Sequence, residues 1–246
     1  DLKNADFTDA NLARTNFQGA TMNRATKIDE KIYLIWQILA GKADKDLQNA
    51  DLSDANLRNT SLEGFNLSGA NLIGADLRGA SLKDVKIDDA TKLDDKWRLV
   101  WEIVNCGGGD RDLRNVDLGD ANLNDVNFTA ADLSGANLTN TILLNARLNN
   151  ANLAGANLEN ANLSGVNLSG ANLAGAKLRR IMAGNVSLED ANLSEADLTV
   201  ASLWNANLTN ADLRGANLQR ANLWGAKMDG ANLENANLKN CTLPRK

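Results

Sequence analysis

The chain has 246 residues, of which 43% are hydrophobic and 23% are charged, and its net charge is −5 at pH 7. This length allows a substantial core, and the mild, spread-out charge predicts neither a basic nucleic-acid surface nor a strongly acidic one. Histidine is absent and the two cysteines lie far apart in the sequence, which argues against histidine-dependent catalysis and against a zinc site.

A repeat of five residues begins in the first residues and returns after each of two interruptions. The central residue of a pentad is usually Leu or Phe, Ala lies two places before it, and Asn or Asp stands between them. Two apolar positions around a polar one follow the period of a strand, and Gly or Asn two places after the centre suits a turn with positive φ. The pattern therefore predicts strands and turns that stack and share a core. The central residues run from Leu2 to Met22, from Leu47 to Ile87 and from Leu113 to Leu243.

The run ANLAG ANLEN ANLSG, which begins at Ala151, resembles the A(D/N)LXX consensus of pentapeptide-repeat proteins. The resemblance extends over 41 pentads and is closest to the cyanobacterial type with helical inserts. It implies an all-β solenoid, a right-handed quadrilateral β-helix with four pentads per coil. We expect a single domain over residues 1–246, interrupted by helical inserts at about 25–46 and 90–112.

The two interruptions have related sequences, ATKIDEKIYLIWQILAG and ATKLDDKWRLVWEIVNCG. Apolar residues recur in both at helical spacing, which predicts helices near 29–40 and 94–105. Each has an Asp that suits a helix N-terminus and a Gly that suits a helix end, namely Asp29 with Gly41 and Asp94 with Gly107.

Each predicted helix also carries a second apolar set that includes Trp36 or Trp101. An apolar surface of this width indicates burial on more than one side. Two interpretations remain open. The helices cover the stacked pentads, or they also provide a surface for a partner or a second copy, with Trp36 and Trp101 as candidate binding residues.

Departures from the repeat mark a second candidate site. If four pentads make one coil, residues 20 apart share a face, and five apolar residues then fall on one face where polar or small residues are expected. Exposed apolar residues gathered on one face are typical of a binding site. We expect the two tryptophans, one coil apart, to stack on the surface. The alternative to a binding site is that the five residues pack only on one another or on a crystal neighbour. The five residues are Ile142, Leu144, Met182, Trp204 and Trp224.

Ala183 replaces a central Leu, in the run RRIMAGNVSL. We expect it to leave space between Leu163 and Leu203 unless the coil collapses or a neighbouring side chain fills it. Arg179 and Arg180 precede it, either as an anion site or as a solvated charge pair.

These observations predict a structural or protein-interaction module without catalysis, cofactor, metal, small-molecule substrate, nucleic acid or membrane span. Its partner is an unidentified protein or a second copy of the chain. The resemblance leaves two alternatives, a DNA mimic that regulates DNA gyrase and a regulator that binds signalling proteins in cell differentiation. The location stays open between the cytoplasm and, if a leader was removed, a periplasmic or thylakoid-lumen compartment.

Overall fold

The computed structural model describes residues 1–12 and 14–244, and the chain divides into two compact units, Asp1–Trp101 and Glu102–Lys246. Its helices are α1, Glu30–Leu39, and α2, Asp95–Cys106, and the division between the units falls within α2. Both helices lie within one residue of their predicted bounds. The expected continuity of a single repeat domain stays a prediction.

In the second unit the backbone returns to parallel register every 20 residues. Isolated parallel β-bridges join residue pairs such as Asp112 and Asp132, or Asn122 and Ile142, and they recur on all four pentads of each 20-residue stretch. The amide of Leu133, for example, donates to the carbonyl oxygen of Asn152 at 2.7 Å. We call each 20-residue stretch a layer, and the stack formed by every fourth pentad a side. This register agrees with the four pentads per coil expected from the resemblance.

The described residues contain isolated bridges where extended strands were expected. The reason is the length of the pentad. Two of its five residues form the turn, so the straight part is too short to place successive residues in a ladder. The stack is held by single bridges repeated from layer to layer.

The turns have the predicted left-handed residue two places after the centre. Asn140 and Asn145 have φ of 57° and 58°, and even the β-branched Val200 has φ of 62°. The polar residue before the centre supports the turn, since its side-chain oxygen accepts the amide two residues later, as Asp132 Oδ1 does from Ser134 at 3.0 Å. Each pentad therefore carries its own turn signal.

The core of the second unit consists of the central and the small positions. From Leu113 to Leu223 every central side chain is at most 3% exposed. Ala183 does leave a cavity, but it measures only about 10 Å³ because Ile181 and Val186 occupy the neighbouring small positions and line it. A larger residue at the small position thus compensates for a smaller one at the centre, which confirms the expectation that a neighbour can fill the space.

In the first unit, parallel bridges at the same 20-residue spacing join residues 46–66 to residues 66–86, and α1 is packed against the earlier pentads. The Asp29 carboxylate accepts the amide of Lys31 at 2.8 Å and caps the helix. At the other end Gly41, at φ of 66°, donates to Ile38, and Lys42 donates to Gln37, which together form a Schellman motif. The predicted start and end signals of α1 are confirmed.

One tryptophan of each insert is anchored to the pentads that precede it. The indole N–H of Trp36 donates to the carbonyl oxygen of Ala20 at 2.9 Å, and that of Trp101 donates to the carbonyl oxygen of Val85 at 2.6 Å. Ala20 and Val85 both occupy small positions of their pentads. The two inserts therefore repeat a tertiary contact as well as a sequence. None of the helices in the described residues is long and apolar enough to cross a membrane.

Candidate protein-interaction surface

The structure places the five apolar departures of the third block on one side of the second unit. Bridges connect Ile142 to Asn162, Asn162 to Met182, and Met182 to Ser202, so these residues follow one another from layer to layer. Leu144, Trp204 and Trp224 each stand two residues further along in their own layers. Because layers are separated by about 4.8 Å, Met182 and Trp224 lie within two layers, about 10 Å.

Three of these side chains are exposed to solvent. Met182 is 50% exposed, Trp204 is 40% exposed and Trp224 is 50% exposed, which is unusual for large apolar residues. Ile142 and Leu144 are half-buried and lie two layers before Met182, with Asn162 and Ser164 in the layer between them. The exposed part of the cluster is therefore concentrated in the layers around Met182, Trp204 and Trp224.

Trp204 is held by a glycine in the layer before it. A β-carbon added to Gly184 would lie 2.3 Å from indole atoms Cε2 and Nε1 of Trp204, so the ring occupies the space that a side chain at Gly184 would take. The expected stacking of Trp204 on Trp224 is wrong, since the two rings form no aromatic pair and the Trp204 indole lies against Gly184. Because Gly184 has no side chain, the Trp204 indole packs directly against it.

The side that carries the cluster has no charged residue over five layers. Its pentads are TILLN, ANLSG, IMAGN, ASLWN and ANLWG, at residues 141–145, 161–165, 181–185, 201–205 and 221–225. We call these residues the uncharged face. The other three sides carry charged residues over the same layers, for example Arg147, Glu195 and Arg179. Aromatic residues together with a depletion of charge are typical of the centre of a protein interface.

Trp36 and Trp101 have a different environment. Trp36 is 3% exposed and contacts Phe17 and Met22, and Trp101 is half-buried. The Trp36 ring also lies 5.3 Å from that of Tyr33 and 4.8 Å from Lys42 Nζ. Since Trp36 offers no free surface, we do not include it in the proposed interaction surface.

Sequence reasoning missed three exposed apolar residues, Ile73 at 46%, Val200 at 42% and Leu243 at 52%. It also missed the absence of charge on the uncharged face. The absence of charge was visible in principle in the sequence. When the sequence is written in rows of 20, the charged residues of these five layers fall into the other three columns. The burial of Trp36 had no such signal, since it depends on how α1 packs.

Several acidic side chains of the described residues accept hydrogen bonds from neighbouring side chains or pair with arginines. Hydrogen bonds from Arg114 hold the pKa of Asp112 at about 2, and hydrogen bonds from Ser53 and Lys31 hold the pKa of Asp51 at about 2. Arg179, one of the paired arginines considered above, lies 3.6 Å from Asp197 and 3.8 Å from Glu159. Within residues 1–12 and 14–244, no group of three or more metal-ligating side chains is arranged to hold a metal ion.

The family model of pentapeptide repeats matches the chain in eight copies, at residues 1–26, 46–86, 112–143, 141–180, 184–215 and 216–244. HetL, a pentapeptide repeat protein involved in heterocyst differentiation regulation from the cyanobacterium Nostoc, is 30% identical, covering 80% of this chain and 89% of that chain with a TM-score of 0.38. A pentapeptide repeat protein from the cyanobacterium Cyanothece is 36% identical over 39% of this chain and 63% of that chain, with a TM-score of 0.23.

QnrB1, a plasmid-mediated fluoroquinolone resistance protein, is 20% identical, covering 74% of this chain and 73% of that chain with a TM-score of 0.28. No curated protein matches the chain at significant similarity. The family model covers most of the chain, and its copies coincide with the three blocks of pentads on either side of the two inserts. The chain belongs to the pentapeptide repeat family.

Proposed function

We propose that this protein is a non-catalytic interaction module that binds a partner protein through the uncharged face of its second unit. The observation that carries the proposal is the coincidence of three exposed apolar side chains, Met182, Trp204 and Trp224, with a side that has no charged residue. Exposed tryptophans on a soluble protein are unfavourable unless something covers them for part of the time. A partner protein that removes them from water supplies that cover.

The pentads provide a suitable scaffold for such a surface. We propose that they form the right-handed quadrilateral β-helix of the family, and the 20-residue register and the buried central positions support this. Backbone bonds between layers hold each exposed side chain at a constant spacing. A preordered surface of this kind loses little conformational entropy when a partner binds.

The uncharged face is poorly suited to the alternative role of a DNA mimic. A mimic needs rows of carboxylates in place of phosphates, and this side has none. The likeness to HetL has a TM-score of 0.38, which is too low to transfer a role in differentiation to this chain. Protein interaction through the apolar residues is the function that the surface itself supports.

The test replaces Trp204 and Trp224 by Ser together. We expect the double variant to keep its melting temperature within a few degrees, because both side chains are largely exposed, and to lose the partners that the unaltered protein retains in affinity capture. Mass in solution, measured by light scattering, shows whether the partner is a second copy. Ile73→Ser removes a similarly exposed apolar residue from the first unit and serves as the control.

Retention of every partner and of the same mass by the folded double variant would contradict the proposal.

A further inference from the structure

The side that precedes the uncharged face carries positive charge, although the chain as a whole is acidic. Over residues 156–160, 176–180, 196–200, 216–220 and 236–240 it has two acidic residues, Glu159 and Asp197, against five basic ones, whereas the chain has a net charge of −5. All five basic side chains are exposed. A positive strip on an acidic protein attracts anionic groups locally. The five are Lys177, Arg179, Arg180, Arg220 and Lys239.

Arg180 and Arg220 stand at the corner where this basic strip meets the uncharged face. They are the last residues of their pentads, and the next pentads contain Met182 and Trp224. Both have positive φ, 56° and 62°, and they are two layers apart, about 10 Å. Among the described residues neither has an ion pair or a side-chain hydrogen bond, whereas Arg179 lies near both Glu159 and Asp197.

The corner also contains an exposed apolar residue. Val200 lies between Arg180 and Arg220 in the same column and is 42% exposed. Along this corner Val200 therefore separates the two unpaired guanidinium groups, and the uncharged face beside it carries Met182 and the two tryptophans. Arginine and tryptophan are the residue types most enriched among those that dominate binding energy in protein interfaces.

We infer that the partner segment carries apolar side chains bordered by carboxylates. This inference rests on the proposed function and names the chemistry of its partner. The apolar side chains cover Met182, Trp204 and Trp224, while Asp or Glu residues along one edge pair with Arg180 and Arg220. Charge complementarity at such an edge determines orientation and association rate, and the aromatic contacts supply most of the affinity.

A single-stranded nucleic acid is the competing ligand, because it also pairs basic residues with aromatic ones. The distribution of charge favours a protein segment. The uncharged face itself has no cation to follow a phosphate backbone, and Met182 and Val200 offer bases no ring to stack on. The chain's acidity also opposes the approach of a polyanion.

The test pans a displayed library of random peptides of about twelve residues on the full chain. Labelled copies of the selected peptides are then measured by fluorescence anisotropy, and a labelled oligothymidine is measured beside them. We expect the selected peptides to combine apolar residues with Asp or Glu and to bind more weakly as salt is raised. Arg180→Glu with Arg220→Glu is expected to weaken these peptides about tenfold or more and to select Lys or Arg in their place.

The matched control, Arg147→Glu with Lys227→Glu, makes the same change of charge on the side that follows the uncharged face, and it should leave the selection unchanged. Two outcomes would overturn the inferred partner chemistry but not the proposed function. The selected peptides could lack Asp and Glu, or the Arg180→Glu and Arg220→Glu variant could select and bind the same peptides as the unaltered protein. Binding that survives Trp204→Ser with Trp224→Ser, or a library that yields no binder, would overturn the proposed function as well. Tighter binding of oligothymidine at the same surface would replace a protein partner by a nucleic acid.

Discussion

At the scale of the residue, the left-handed turn position explains both the regular and the irregular features of the repeat. Asn and Gly are common there because they accept positive φ with little strain, and Asn adds a local hydrogen bond. Val200 occupies the same backbone conformation, at φ of 62°, although its branched β-carbon is unsuited to it. The strain at Val200 is held in place by the layers on either side.

We expect Val200→Asn to stabilise the protein by about 1 kcal/mol, because Asn relieves the strain of a β-branched residue at positive φ. The free energy of unfolding, measured with urea, gives the change. Asn160→Val is the matched control, since Asn160 lies in the same column with φ of 60°, and it should destabilise by a similar amount. Equal stability of Val200→Asn and the unaltered protein would show that the surrounding layers absorb the strain.

A second prediction concerns the seat of Trp204. Gly184→Ala introduces a β-carbon where the indole lies, and since φ at Gly184 is not positive the backbone accepts Ala. We expect the ring to rotate outward, with a change in unfolding free energy below about 1 kcal/mol and a shift of tryptophan emission to longer wavelength. Gly184→Ala combined with Trp204→Phe should match Trp204→Phe alone. If Gly184→Ala still shifts the emission when Trp204 is replaced by Phe, the shift comes from another tryptophan.

At the scale of the element, α1 shows how an insert is attached to the repeat. Its cap at Asp29 and its Schellman end are local, but its position depends on the Trp36 indole bond to Ala20 and on Lys31. Lys31 Nζ lies 3.0 Å from Asp51 Oδ2 and 2.7 Å from Ser53 Oγ, in the pentads after the insert. The helix is therefore joined to pentads on both sides of it in the sequence.

This contact predicts that acid loosens α1. Hydrogen bonds from Ser53 and Lys31 hold the pKa of Asp51 at about 2, below its usual value near 3.8. A lowered carboxyl pKa contributes stability that is present above the unfolded-state pKa and is lost as the pH falls through the folded-state pKa. We expect the melting temperature to fall between about pH 4 and pH 2, and Asp51→Asn to fall less over this range. An identical pH profile for Asp51→Asn would show that other carboxylates account for the loss.

At the scale of the whole molecule, the repeat stacks side chains as well as backbone. On one side of the second unit, the amide groups of successive layers form a chain of hydrogen bonds. Asn152 donates to Asp132 at 3.0 Å, Asn172 to Asn152 at 3.1 Å, and Asn192 to Asn172 at 3.2 Å. Each oxygen also accepts a turn amide, so one residue stabilises its own turn and the contact between layers.

We expect Asn172→Ala to destabilise the protein by about 1–3 kcal/mol, because it removes two bonds between layers and the bond to the Ala174 amide. Asn162→Ala is the control, as Asn162 accepts both the amide and the hydroxyl of Ser164 within its own turn but lies in no such ladder among the described residues. Asn162→Ala should lower the free energy of unfolding, measured with urea, by less than Asn172→Ala does. Equal losses would indicate that the turn bond, rather than the ladder, carries the stability.

The sequence by itself determined the pentads, the positive-φ turns, both helices and their boundaries, because each depends on residues within a few places of one another. It also indicated which apolar residues share a side, through the 20-residue register implied by the resemblance to the family. Only the tertiary structure decided that Trp36 is covered, that Trp204 rests on Gly184, and that Ile181 fills the space beside Ala183. These depend on contacts between distant segments and on the volumes of neighbouring side chains, which local pattern does not specify.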